Sequence, residues 1–333
     1  MSELRRDPIT ARWVIVDTEH PSSPADFQYD TLSWREGVCP FCRGNESMTP
    51  PEIDALRAAG SGPNTQGWQV RVVPNKFPAL QIEGDLDKRG VGIYDMSSGV
   101  GAHEVIIETP EHDRDIPDMP LAQVEKILRM YCRRETDLIK DSRFKYIMIF
   151  RNFGPAAGAS LAHSHSQLIA LPMVPKNVAE EMHGASEYLK FKDRCIFCDI
   201  IRQEQEEKER VIVESKSYLA FCPYVSRFPF EYWIIPREHK SHFRDTSGEG
   251  IRSLAQILKE TLQRLKRIFP RVSYNFMLHS SPANGEISGR DAYHWHIECT
   301  PQLMRVAGFE WGTGFYSVPT PPELAAHFLR DAR

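Results

Sequence analysis

Two Cys-x-x-Cys pairs recur in this chain with the same partners behind them, and that repetition limits the fold more than any other feature. Cys39-Pro-Phe-Cys42 is followed by a strand-like run over 104–109, Pro110 and His112, a helical pattern over 121–141, a strand over 144–150, and His163-Ser-His165-Ser-Gln167. Cys195-Ile-Phe-Cys198 opens the same series: a strand over 231–235, Pro236 and His239, a helical pattern over 251–269, a strand over 273–278, and His294-Trp-His296-Ile-Glu298. From the proline-linked histidine to the His-x-His is 51 residues in the first series and 55 in the second. One motif recurs easily by chance; four in one order do not. The chain reads as an internal duplication joined near 175–194.

Strands flanking a single helix, without regular βαβ crossovers, predict an α+β fold: two duplicated domains, 1–180 and 181–333, each an antiparallel sheet with one helix packed on it. A chain of 333 residues can bury a core in each. A further strand is expected over 9–16 and another over 68–73; 48–63 reads as loop and 203–210 as a solvated charge run. Neither a Gly-x-Gly-x-x-Gly nor a Walker loop occurs, so the usual nucleotide cradles are missing.

The net charge of −4 gives no reason to expect a nucleic-acid partner. The N-terminus has no apolar leader run and no later run is long enough to span a bilayer, which predicts a cytoplasmic protein without a membrane partner.

Seven cysteines cannot all pair with one another. In a reducing compartment two Cys-x-x-Cys pairs point to metal, and tetrahedral zinc wants two more ligands from distant elements. Cys39, Cys42, His112 and His163 make one such set; Cys195, Cys198, His239 and His294 make the equivalent one. Four protein ligands leave no open position, so two structural zinc ions per chain are expected. Cys132, Cys222 and Cys299 read as core, and His103, His183, His242, His279 and His327 as surface or core, with His279 able to approach His294 and His296.

In an extended chain His163, His165 and Gln167 share one face. An imidazole there can ligate a metal, shuttle a proton or attack phosphorus. With His163 committed to zinc, His165 is left to do chemistry.

The run Asn152-Phe-Gly154, then Gly158-Ala-Ser160-Leu-Ala-His163-Ser-His165-Ser-Gln167, in a duplicated chain, resembles the galactose-1-phosphate uridylyltransferase family of the histidine-triad superfamily over nearly the whole length. The resemblance implies that His165 attacks the α-phosphorus of a nucleoside-diphosphate sugar and forms a nucleotidyl-histidine. It assigns Gln167 and Ser160 to the transferring phosphoryl group, Asn152 to a contact nearby, Asn75 and Phe77 to the nucleotide, and Glu310 to a sugar hydroxyl. It implies a homodimer, and as leading reaction UDP-glucose plus galactose 1-phosphate giving UDP-galactose plus glucose 1-phosphate. His-Ser-His-Ser-Gln, Gly-Phe-Glu-x-Gly-Thr-Gly and the second cysteine–histidine set also resemble the ADP-glucose phosphorylase branch, so adenylyl transfer is the alternative. The family's Arg-x-x-Arg-Pro phosphate contact has no counterpart in Glu19–Pro24, which leaves Arg5, Arg6 or Arg151 as substitutes and a degenerate zinc- or nucleotide-binding protein as a third reading. Some members bind another metal through Glu plus three His; here that set is Glu181, His279, His294 and His296, competing with the cysteines for His294.

Overall fold

A computed structural model describes residues 1–34, 37–284 and 292–332. The first half contains β1 (Glu3–Arg6), β2 (Trp13–Val16), β3 (Asp54–Arg57), β4 (Trp68–Pro74), the exposed hairpin β5 (Arg89–Val91) and β6 (Tyr94–Met96), β7 (Ala102–Ile107), α1 (Leu121–Leu138), β8 (Tyr146–Phe153) and β9 (His165–Leu171). The join is helical, α2 (Lys176–Lys192) and α3 (Ile196–Glu207). The second half continues with β10 (Val211–Glu214), β11 (Tyr218–Phe221), β12 (Tyr232–Pro236), α4 (Gly248–Ile268), β13 (Tyr274–His279), β14 (His296–Pro301), α5 (Gly308–Thr313), β15 (Tyr316–Val318) and α6 (Pro322–Asp331).

Among the described residues ten strands form one antiparallel sheet in the order β10-β11-β12-β14-β13-β8-β9-β7-β4-β3. Read from either edge the two halves match strand for strand, and they meet where β8 pairs antiparallel with β13. The two expected sheets are therefore one. α1 and α4 pack against each other and against one face of it. Each is amphipathic: Val124, Ile127, Leu128 and Tyr131 of α1, with Leu254, Leu258, Leu262 and Leu265 of α4, lie in a shared core. Each such side chain contributes about 2 kcal/mol by leaving water. Ser247 caps α4 by accepting from the Gly250 N–H at 3.1 Å.

Three local readings change. The 48–63 stretch contains β3, a short edge strand whose Asp-Ala-Leu-Arg sequence has little β preference and is set by pairing with β4. The 203–210 run is not simply solvated: Glu204 and Arg210 are buried and paired through two 3.0 Å hydrogen bonds, with Arg210 also reaching Glu323 on α6. Of the strand expected over 9–16 only Trp13–Val16 forms, as β2, pairing with β1 and, in parallel, with β15. Among the described residues no helix is long and apolar enough to cross a membrane.

Candidate active site and metal centres

β9 alternates as an extended strand must. Ser164 and Ser166 face α1, and His163, His165 and Gln167 face the other way. The serines rest on Glu108, just past the end of β7. The buried Glu108 carboxylate accepts from Ser164 Oγ at 2.6 Å, from Tyr131 Oη at 3.0 Å, from Ser166 Oγ and from Arg151 Nε at 3.0 Å. Arg151 continues to Asp115 at 2.8 Å and Tyr274 Oη at 2.6 Å. Burial alone would raise the Glu108 carboxyl, but the Arg151 guanidinium and the two serine hydroxyls outweigh it and hold it below the ordinary carboxylate range. Arg151 is thus committed to holding β9 rather than a substrate phosphate, and Arg5 is likewise engaged, by Glu323 at 2.9 Å. Removing one partner of a buried ion pair strands the other, so Glu108→Gln is expected to cost about 3 kcal/mol or more in urea unfolding. A change below about 0.5 kcal/mol would show that the network is not what holds the strand.

On the opposite face His163 donates through Nε2 to the Thr109 carbonyl at 2.7 Å, so Nδ1 carries the lone pair. That nitrogen lies 3.6 Å from Cys39 Sγ and 3.7 Å from Cys42 Sγ, while His112 Nδ1 lies 3.2 Å from Cys42 Sγ. The second set repeats this: His294 Nε2 donates to the Pro236 carbonyl at 2.9 Å, and Cys198 Sγ lies 3.6 Å from His239 Nδ1 and 3.8 Å from His294 Nδ1. Tetrahedral zinc with ordinary Zn–S and Zn–N bonds has edges of about 3.3–3.8 Å, close to these separations, so each set could hold one metal ion. Within each set all four ligand atoms lie within 4.8 Å of one another. Burial holds His163 down at about 4, a neutral ring at neutral pH with its lone pair toward the thiols.

The expected competition for His294 does not arise. A third group forms from Glu181, His279, His296 and Glu298, and could also hold an ion, but His294 stays with the cysteines and Glu298 completes the group instead. Arg227 bonds Glu298, and His279 lies between the two carboxylates, 3.2 Å from Glu181 and 3.5 Å from Glu298, so their charge is already countered.

His165 donates through Nδ1 to its neighbour's carbonyl, His163 O, at 2.7 Å; a carbonyl only accepts, so Nε2 is the basic nitrogen. Burial, foremost, lowers the His165 pKa and keeps the ring neutral. His296 makes the same bond to His294 O at 3.0 Å. The two differ in what surrounds them. His296 is 0% exposed, stacked between Trp233 at 4.7 Å and His279 at 4.8 Å. By sheet register the equivalents of those residues beside His165 are Val105 and Asn152. α2, α3 and Ile9 also roof the second half. His165 keeps 8% exposure, with half-buried Gln167 beside it. The third residue of each Cys-x-x-Cys touches its own histidine: Phe41 lies 5.4 Å from His165, and Phe197 lies 5.4 Å from His296. That recurrence of Phe was visible in the sequence and its use was not.

Asn75 reaches Gln167 Oε1 at 3.4 Å, and its Oδ1 accepts from the Phe77 N–H at 2.9 Å; the Phe77 ring is 83% exposed. Asn152 Oδ1 accepts from Asn275 at 2.7 Å, which turns its amide nitrogen toward the loop that carries Ser160. That loop turns on Gly154 (φ 90°), where a Cβ would lie 2.0 Å from Ser273 Oγ, so only glycine fits. Ser160 lines a cavity of about 630 Å³ with Cys39, His112 and Phe153. Glu310 is not brought to this group: it caps its own helix, accepting from the Ala307 N–H at 2.9 Å, and α5 packs on β15. His103, read as an ordinary surface or core residue, stands 2.9 Å from Gln167.

A duplicated sheet with one open and one filled histidine site has close relatives. Models described as the N-terminal and C-terminal domains of galactose-1-phosphate uridyl transferase match residues 2–175 and 181–312. The chain belongs to the galactose-1-phosphate uridyl transferase family. It is 35% identical to ADP-glucose phosphorylase of Arabidopsis thaliana over 99% of this chain and 92% of that protein. It is 30% identical to galactose-1-phosphate uridylyltransferase of Thermotoga maritima over 99% and 98%. The crystal structure of an Arabidopsis thaliana ADP-glucose phosphorylase with bound ADP-glucose superposes with a TM-score of 0.83 at 35% identity, covering 99% of each chain.

Proposed function

We propose that this chain is a nucleotidyltransferase that carries the nucleotidyl group of a nucleoside-diphosphate sugar on His165. The observation that carries the reading is the His165 ring: its Nδ1–H is held by the His163 carbonyl, which aims the Nε2 lone pair into the open half of the duplicated site. Nε2 attacks the α-phosphorus, the bond to the bridging oxygen breaks, and the sugar 1-phosphate leaves. A phosphate oxygen of the acceptor then attacks the same phosphorus, the P–N bond breaks, and His165 returns unchanged. The Nδ1–H never leaves, and the His163 carbonyl steadies the positive charge that the ring gains when phosphorylated. Gln167, Ser160 and Asn152 hold the phosphoryl oxygens, and Asn75 and Phe77 the nucleoside.

For the donor we favour ADP-glucose, with phosphate or a sugar 1-phosphate as acceptor. This reading is supported by the second Cys₂His₂ set, the feature that separated the two branches in sequence, and by the likeness to ADP-glucose phosphorylase. UDP-glucose with galactose 1-phosphate is the second reading, supported by the family models and the Thermotoga maritima relative. Zinc in each Cys₂His₂ set is structural, about two per chain, and the halves 1–180 and 181–333 act as one catalytic and one supporting domain. A homodimer would let Glu310 of a second copy serve the sugar, since its own chain leaves it elsewhere.

Incubating the protein with ADP-glucose and with UDP-glucose, each labelled in the α-phosphate, tests this. Acid-labile label is expected on the peptide containing His165, faster from ADP-glucose. Label on neither donor sinks nucleotidyl transfer; faster label from UDP-glucose reverses the choice of base.

A further inference from the structure

We infer that His103 is the positioning residue that decides which way the Gln167 amide points; the inference rests on the nucleotidyl-transfer reading above. His103 on β7 and Gln167 on β9 lie on the same face of paired strands, with Val105 opposite Gln167 and His103 one diagonal step away. Two backbone N–H groups settle the orientation of everything between them. The Ala79 N–H points at His103 Nδ1 at 3.1 Å. A backbone N–H can only donate, so Nδ1 carries the lone pair and, in the neutral ring, Nε2 carries the proton. The Phe77 N–H donates to Asn75 Oδ1 at 2.9 Å, so the other end of that amide is its NH₂. Both Nε2–H of His103, at 2.9 Å, and the NH₂ of Asn75, at 3.4 Å, converge on one atom of Gln167. That atom must be the acceptor Oε1. Asn75 Nδ2 and His103 Nε2 themselves lie 3.0 Å apart.

The consequence is that the Gln167 NH₂ is left facing the site beside His165. An amide flipped the other way would present its carbonyl oxygen to an anionic phosphoryl group and repel it. A fixed donor beside Gln167 excludes the flipped amide and also pins the side chain in place, which holds the NH₂ where charge develops in transfer. The loop 75–79 that is expected to touch the nucleoside is tied to the same residue, since Asn75 N donates to the His103 backbone carbonyl at 2.8 Å and Ala79 N to the His103 ring. In the filled half the register equivalent of His103 is Glu231, which cannot donate and is bound to Arg227.

The test is a double-mutant cycle on the rate of His165 labelling in a single turnover. His103→Asn can keep the bond from Ala79 but is too short to reach Gln167; His103→Gln can supply an N–H to Gln167. His103→Asn is expected to slow labelling about 10- to 100-fold with the donor's KM changed less than about threefold, while metal content and melting temperature hold. His103→Gln is expected to recover most of that rate. In a Gln167→Ala background His103→Asn is expected to change the rate by less than about threefold, because the residue it positions is gone. Equal losses in both backgrounds, or His103→Gln as slow as His103→Asn, overturn the proposal. Wild-type protein that labels from neither donor would instead overturn the transfer reading beneath it, so the two failures are separate.

Discussion

His165→Gly is expected to stop nucleotidyl transfer, with turnover falling by at least about 10⁴-fold, while the protein keeps its fold and metal content. A large loss is expected because, on the proposed mechanism, the ring removed is the one that bonds to phosphorus. The fold is expected to survive because His165 is in neither cysteine–histidine set: its ring bonds the His163 carbonyl and lies against the Phe41 ring. The strand is held from the other face, by Glu108 on Ser164 and Ser166, and His163 remains with Cys39 and Cys42. Glycine leaves a space the size of an imidazole, so added imidazole is expected to restore the first half-reaction in part, yielding a free nucleotidyl-imidazole. His296→Gly is the control, expected to leave turnover within about threefold, since that ring is enclosed by Trp233, His279 and Phe197. Full activity in His165→Gly, or label moved to His296, would overturn the assignment.

Cys39→Ser is expected to cost more than about 4 kcal/mol in unfolding free energy and to release one metal ion per chain, with a smaller direct effect on chemistry. The four ligands come from three separate places: the 39–42 turn, the segment after β7 and the segment before β9. A metal there binds only the folded arrangement, so its binding free energy adds to folding. A serine hydroxyl does not supply the thiolate charge that pairs with a divalent ion. Metal analysis together with urea unfolding checks this. An unchanged metal content and midpoint would remove the metal reading of this set. The matching change at Cys195 is expected to release the other ion and to leave the His165 labelling rate nearer to wild type, because the second set lies in the filled half.

Much of the site is legible in the sequence. The repeated order of Cys-x-x-Cys, proline-linked histidine, helix and His-x-His is a statement about sequence alone, and both ligand sets followed from it because metal chemistry limits which residues can serve. Alternation along the strand placed His163, His165 and Gln167 on one face for the same reason that any extended chain alternates. Apolar spacing placed helices over 121–141 and 251–269, and the structure has them at Leu121–Leu138 and Gly248–Ile268.

Tertiary structure alone decided which half is open. The sequence of each half offers a histidine after a candidate metal ligand, with an aromatic in the preceding Cys-x-x-Cys. Only the sheet register shows that Trp233 and His279 stand where Val105 and Asn152 stand in the other half, and only the path of α2 and α3 shows which face they roof. His103, Glu108 and Arg151 were illegible for a related reason. Their partners are Gln167 at 2.9 Å, Ser164 at 2.6 Å and Asp115 at 2.8 Å, contacts made across neighbouring strands and loops. A side chain's role there is set by what the pairing register brings beside it, and register is a property of the assembled sheet rather than of any one segment.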